Sequence, residues 1–327
     1  MTKKPRILLN YNALNFRFFV FILLCLLQGG KINAQITVTG SSGANGSYTS
    51  LTQAGGAFAA INALSQTGMN INISITGNIT TEDGTVGLGA GVWTSLKITP
   101  SGARTVSGSA DLALIRFEGA DHVVLDGISI AGTNRLILNN NSVGNNASTI
   151  SLENGATYDS IKNITILGAS PNLNSGTIHF KYGASGANDY NVISGCDIGA
   201  SKTTTLPANA VYAHGSAAPE NSYNEILNNN IYDFFNAGSS CNGIYLRGLN
   251  THWTISGNKL FQRAARQFAV TPNSVYTGIK VEGDAGTPGE NFIISGNIIG
   301  FSSSASGGLT TIGGADAGGL LNKIRGI

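Results

Sequence analysis

One short pattern, written six times between residues 115 and 299, constrains this chain more than anything else in it. Each copy opens on a strand that alternates apolar and free positions. The copies are Ile115-Arg116-Phe117-Glu118, Ile150-Ser151-Leu152-Glu153, Ile178-His179-Phe180-Lys181, Val211-Tyr212-Ala213-His214, Ile244-Tyr245-Leu246-Arg247 and Ile279-Lys280-Val281-Glu282. They start 35, 28, 33, 33 and 35 residues apart. A unit of this length cannot bury its own apolar face, so copies must stack on one another, which is the mark of a solenoid.

A second strand comes later in every unit. Leu125, Ile161, Ile193, Ile226, Ile255 and Ile294 align in one apolar column, and Ile130, Ile166, Ile198, Ile231, Leu260 and Ile299 in another five residues on. Between them Gly127, Asn163, Gly195, Asn228, Gly257 and Gly296 hold a bend, where glycine and asparagine tolerate positive φ. The next column runs Ile128, Ile164, Cys196, Asn229, Asn258, Asn297. Sharing that column with isoleucine and cysteine, the three asparagines are expected to face inward and hydrogen-bond from rung to rung, rather than serve as ordinary turn residues.

These features predict an all-β fold, a right-handed parallel β-helix, its hand following the general crossover rule. An α-solenoid would need helical spacing of apolar residues, and a propeller about four strands per forty residues with aromatic signatures. Neither pattern is present.

The first 34 residues read as a secretory signal: Lys3, Lys4, Arg6 and Arg17 lead into ten unbroken apolar residues from Phe18 to Leu27, with cleavage expected after Ala34. Ten residues are too few to span a bilayer, so no membrane span is expected in the mature chain. This segment holds five of the 19 basic residues and none of the 17 acidic ones, leaving 14 against 17, a formal −3. That balance argues against nucleic acid as a partner.

Residues 35–110 are expected to form an N-terminal cap and irregular first rungs around Ile71–Ile75 and Leu96–Ile98. Leu51, Ala54, Phe58, Ile61 and Leu64 recur at helical spacing, with Ser50 as N-cap and Gly68 as stop. Such an amphipathic helix would cover the open end of the first rung. Residues 111–327 then carry the β-helix repeats. Insertions at 131–148, 201–208 and 261–277 interrupt them and are expected to frame a binding surface; the first includes an extra strand over Arg135–Leu138, and the third carries Arg263 and Arg266. Lys323-Ile324-Arg325-Gly326-Ile327 reads as the opening of a further first strand, so further C-terminal domains are expected. Cys196 sits in an inward column and is expected to be a buried, unpaired thiol.

The chain resembles a family of large secreted bacterial surface proteins that use the type IX secretion route. The resemblance rests on Ala34-Gln35 at the end of the signal, on Tyr-x-x-Leu…Ala-Phe-x-x-Ile-Asn from Tyr48 to Asn62, on Gly-Ala-Asp-x-Val-x-Leu-Asp-Gly from Gly119 to Gly127, and on Ser148-Thr149-Ile150. It implies export and an adhesin-like or pectin-lyase-like β-helix, without fixing an activity.

The outward positions of the first strand supply the candidate site. One column runs Arg116, Ser151, His179, Tyr212, Tyr245, Lys280; its partner runs Glu118, Glu153, Lys181, His214, Arg247, Glu282. A lyase would need a base and a positive charge for the developing oxyanion, which Lys181, His214 and Arg247 could supply. A glycosidase would use paired carboxylates, for which Glu118 and Glu153 are the candidates. A binding surface would stack sugars on Tyr212 and Tyr245, with Glu118, Glu153, His179 and Glu282 giving orientation. The plain alternative is a set of cross-strand ion pairs and a tyrosine ladder. The remaining histidines, His122 and His252, precede second strands and are expected in turns. The sequence carries no metal-ligand or cofactor motif. The expectation is therefore an exported, non-catalytic scaffold, adhesin-like or binding a polysaccharide or host glycan, with a polysaccharide lyase or hydrolase as the alternative.

Overall fold

The computed structural model describes residues 34–327 apart from 129–134, 182, 184–185, 216–218, 270–273, 284–290 and 315–322. The segment expected to be a secretory signal lies, up to Asn33, outside the described residues. The chain forms a β-solenoid built from three long sheets, of ten, eight and eight strands.

Sheet 1 contains the first half of each expected second strand: Val123–Asp126, Ser160–Lys162, Val192–Ser194, Glu225–Leu227, Thr254–Ser256 and Ile293–Ser295. Sheet 2 contains the other half, including Ile164–Gly168, Asp197–Ala200, Asn230–Tyr232, Lys259–Phe261 and Ile298–Phe301. Sheet 3 is the expected first strand: Ala113–Glu118, Ser148–Glu153, Ile178–Phe180, Asn209–Ala213, Cys241–Leu246 and Val275–Val281. Pairing between successive rungs is parallel throughout these strands. The expected second strand is thus two short strands in different sheets. A left-handed residue at the bend turns the chain too sharply for one sheet to continue, as at Asn163, Gly195, Asn228 and Gly257, with φ of 58, 61, 54 and 68°.

The apolar columns face inward in register. Ile161, Ile193, Ile226, Ile255 and Ile294 are direct partners in sheet 1, and Ile166, Ile198, Ile231, Leu260 and Ile299 in sheet 2. Two expected members differ. Leu138, not Ile130, pairs with Ile166, and Leu136, not Ile128, pairs with Ile164. An insertion after the Gly127 bend delays the sheet 2 strand of that rung to Leu136–Asn140, the strand expected inside the first loop. Ile128 is left exposed; Ile130 lies outside the described residues.

The asparagine ladder is present. Asn229 Nδ2 donates to Asn258 Oδ1 and Asn258 Nδ2 to Asn297 Oδ1, both at 2.9 Å. Each amide also donates one rung back, to the carbonyls of Ile193, Ile226 and Ile255. Backbone N–H groups of Cys196, Asn229 and Asn258 donate to the side-chain oxygen one rung ahead. A side chain with both a donor and an acceptor can repeat this pattern indefinitely, which isoleucine cannot.

At the N-terminal end the strands change direction. Ile36–Thr39 runs antiparallel both to Gly46–Tyr48 and to Asn70–Ile75. The strands Asn70–Ile75 and Ser95–Pro100, expected as irregular rungs, pair in regular parallel register in sheet 1. The helix spans only Ala57–Asn62, burying Ala57, Phe58 and Ile61, and its N-cap is Gly56 rather than Ser50. Ser50 is used otherwise. Its hydroxyl donates to Glu82, a carboxylate that also accepts from the Leu51 and Thr52 N–H groups and the Thr52 hydroxyl. This buried carboxylate holds residues 50–52 in a turn where helix was expected. No helix among the described residues is long and apolar enough to cross a membrane.

Candidate functional site

Sheet 3 places the first predicted column in strict register. Arg116, Ser151, His179, Tyr212, Tyr245 and Lys280 are successive Cα partners. In the second column Glu118 pairs with Glu153. Lys181, His214, Arg247 and Glu282 each come just after a strand end, their N–H groups donating one rung back to the carbonyls of Leu152, Phe180, Ala213 and Leu246. The alternation of the first strand was therefore sufficient to assemble this face.

Its charges are engaged with each other. Arg116 reaches Glu118 at 2.6 Å and Glu153 at 2.7 Å, and Lys181 approaches Glu153 at 3.2 Å. Burial alone would raise the pKa of Glu153, yet the Arg116 hydrogen bond and the Lys181 charge hold it below its ordinary value. Glu118 and Glu153, neighbours of like charge, are thus bridged by one guanidinium. Lower on the face the Tyr245 hydroxyl donates to Glu282, and Lys280 pairs with Glu282 at 3.3 Å while lying 4.3 Å from the centre of the Tyr245 ring. That hydrogen bond lowers the Glu282 pKa; burial, then Glu282, raises that of Tyr245.

Tyr212 is only 2% exposed. Its ring packs edge-on between His179 at 5.1 Å and Tyr245 at 5.4 Å, and Gly176 lies against its backbone. No face of that ring is open to a sugar in this conformation. Burial, followed by the charge of Lys181, lowers the His179 pKa to about 3, so the imidazole is neutral at pH 7. Arg247 reaches Asn174 at 3.3 Å.

A second surface was signalled only by the positions of the insertions. The 201–208 loop leaves sheet 2 after Ala200, and the 261–277 insertion leaves the same sheet two rungs later. Between them lies an open cleft of about 800 Å³, lined by Lys202, Arg263, Arg266 and Asp233 with Ser and Thr hydroxyls. Asp233, buried and at a φ of 54°, organises it. It accepts from Arg263 Nε at 2.6 Å, from the Arg263 backbone N–H at 3.0 Å, and from Arg266 at 2.8 Å. Arg266 starts the short strand Arg266–Phe268 and donates through Nε to Gln262. The Arg263 guanidinium lies 4.2 Å from the Tyr232 ring centre and also borders a second cleft of about 250 Å³ with Tyr232 and Phe261.

A third feature was not foreseen from the sequence. His122, Tyr158, Tyr190, Tyr223 and His252 stack face to face up one corner, with ring centres 4.7 to 5.0 Å apart. All five have φ between 55 and 59°. The two histidines lie in turns, as expected. The recurrence of an aromatic residue three positions before five of the six column residues of sheet 1, with Asn291 before Ile294 as the exception, could have revealed the stack.

Both Cys196 and Cys241 are buried free thiols, and burial pushes each up to about 12. Among the described residues no group of three or more His, Cys, Asp or Glu side chains is placed to hold a metal ion. Comparison with protein-family models, curated proteins and solved structures gives no match for the chain.

Proposed function

We propose that this chain is an exported cell-surface scaffold, a right-handed β-helix of the adhesin-like kind that binds glycans without transforming them. The signal-like segment and the resemblance to secreted bacterial surface proteins support export. The short helix and the antiparallel strands before Asn70 act as the cap of the first rung, blocking addition to that edge.

The observation that carries the binding reading is the cleft between the two insertions. It is of the size that holds one or two sugar rings, with polar groups converging from separate segments. Incubating the protein with labelled acidic and neutral polysaccharides and following both by size-exclusion chromatography tests it. Intact polymer eluting with protein is the expected result. Shortened polymer would overturn the non-catalytic reading.

One observation favours the alternative, a polysaccharide lyase or hydrolase on sheet 3. Lys181, His214 and Arg247 occupy equivalent positions after strand ends on three consecutive rungs, so their spacing suits a base between two cations. If polymer is shortened, replacing His214 by alanine should abolish turnover under that reading.

A further inference from the structure

We propose that the cleft between residues 201–208 and 261–267 is a site for a tetrahedral oxyanion ester, sulfate or phosphate, carried on a saccharide. The inference rests on the glycan-binding reading and gives that binding its chemistry.

Charge comes first. Lys202, Arg263 and Arg266 bring three cations to the cleft against the single carboxylate of Asp233, a surplus of two positive charges. The rest of the mature chain carries a formal negative balance, so this surplus is local. Lys202 has no ion-pair partner among the described residues. Arg263 uses its Nε on Asp233, and its two terminal nitrogens make no hydrogen bond among the described residues. A half-exposed guanidinium pinned at one nitrogen and over an aromatic ring is an oriented fork with donors to spare.

Asp233 sets the position of that fork. Because it is 5% exposed and accepts from both arginines, it fixes them relative to each other before any ligand arrives. The cost of ordering two long side chains is thus met in the free protein, which favours affinity.

Hydroxyls decide the shape of the anion. Ser201 Oγ is buried at the edge of the cleft and has no hydrogen-bond partner among the described residues. Thr203 and Thr204 are exposed on the same loop. A carboxylate presents two oxygens, which one arginine fork can satisfy. A sulfate or phosphate ester presents three terminal oxygens in three directions, matching donors that come from two loops. The second cleft, beyond Arg263, offers the polar groups of Asn230, Ser302, Ser303 and Ser304 to the sugar itself, over the buried rings of Tyr232 and Phe261, which stack 5.5 Å apart.

Four polymers on one backbone test the proposal: dextran, dextran sulfate, dextran phosphate and carboxymethyl dextran of matched substitution, titrated into the full protein at low and at physiological salt. Dextran sulfate, dextran phosphate or both should bind, more weakly at higher salt, with carboxymethyl dextran at least tenfold weaker and dextran weaker still. The sulfate and phosphate arms identify which ester is preferred. Lys202→Ala and Arg263→Ala should each weaken binding roughly tenfold. Lys202→Ala breaks no side-chain hydrogen bond or ion pair among the described residues, and an unchanged urea denaturation midpoint for that variant separates lost binding from unfolding. Equal binding of carboxymethyl dextran would overturn the tetrahedral selectivity, and anion binding indifferent to both substitutions would overturn the site. Binding of other glycans without these anions would sink this inference alone; no glycan binding at all would sink it together with the reading beneath it.

Discussion

Asp159 and Asn191 hold the same corner on consecutive rungs, and the backbone N–H of Asp159 donates to Asn191 Oδ1 at 2.9 Å. Asn191 stands in the same relation to Asn224. Each asparagine also donates its amide one rung back, Asn191 to the Ala156 carbonyl and Asn224 to that of Asn188. Asp159 cannot. Its Oδ1 accepts from the Val123 N–H, while Oδ2 is buried with no hydrogen-bond partner among the described residues. Burial raises its pKa well above 3.8, and the neighbouring charge of Asp121 adds to the rise.

A carboxyl whose folded pKa is raised leaves stability intact below about pH 4, where folded and unfolded chains are both protonated, and removes stability as pH rises through the folded pKa. Asp159→Asn supplies a neutral donor at that position. It should stabilise the protein by about 1–3 kcal/mol at pH 7 and by nearly nothing below about pH 4. Urea denaturation of both proteins across that range measures it, and a constant difference would refute the assignment.

His179 should give the opposite slope. Its folded pKa of about 3 lies below the ordinary 6.5. The neutral ring therefore contributes fully above about pH 6.5, and that contribution is lost as pH falls toward 3. In His179→Gln this part of the acid sensitivity should disappear. Denaturation midpoints at pH 7 and pH 4 for the two proteins give the comparison.

Period-2 alternation made sheet 3 and the register of its two columns legible in the sequence, because a one-residue slip would turn every apolar side chain to the other face; the burial of Ser151, Glu153 and Tyr212 within those columns was not legible. Nor were the first members of the two sheet 2 columns, Leu136 and Leu138 in place of Ile128 and Ile130, since an insertion after Gly127 moves the strand without weakening the apolar pattern on either side. The helix was over-read for a related reason. Leu51 has helical spacing from Phe58, but the Glu82 carboxylate, distant in sequence, captures the N–H groups of Leu51 and Thr52. The cleft needed two insertions far apart in the chain to meet, and only their attachment to one sheet brings Lys202 beside Arg263.

The aromatic stack opposes strain to contact. Tyr190 is held at a φ of 57° between Tyr158 at 4.7 Å and Tyr223 at 4.9 Å. The left-handed conformation costs a non-glycine residue roughly 1 kcal/mol, and two stacked pairs return about 0.5–1.5 kcal/mol each. Tyr190→Ala keeps the strain and loses both contacts, so it should destabilise by about 1–3 kcal/mol. Tyr190→Gly loses the contacts but relieves the strain, and should be milder by roughly 1 kcal/mol. Equal losses in chemical denaturation would mean that the backbone there is unstrained.

The two thiols should be silent in the folded protein. Cys196 lies in the column that becomes the asparagine ladder, and both cysteines are buried with thiols pushed up to about 12. Only the thiolate reacts readily, so alkylation at about pH 8 should proceed at the rate of unfolding and rise steeply with denaturant. Fast labelling of either cysteine in native buffer would contradict their placement.

The ladder itself offers the sharpest stability test. Asn258 is fully buried, donates to Asn297 Oδ1 and the Ile226 carbonyl, and accepts from both the backbone and the side-chain amide of Asn229. Asn258→Ala strands partners on the rungs either side, and each buried group left unsatisfied costs about 1–3 kcal/mol. The loss should therefore be at least about 3 kcal/mol. Asn297→Ala, at the less buried end of the ladder, strands fewer groups and should cost distinctly less. If the two substitutions cost the same in urea denaturation, the amides are acting as separate turn residues and not as a connected chain.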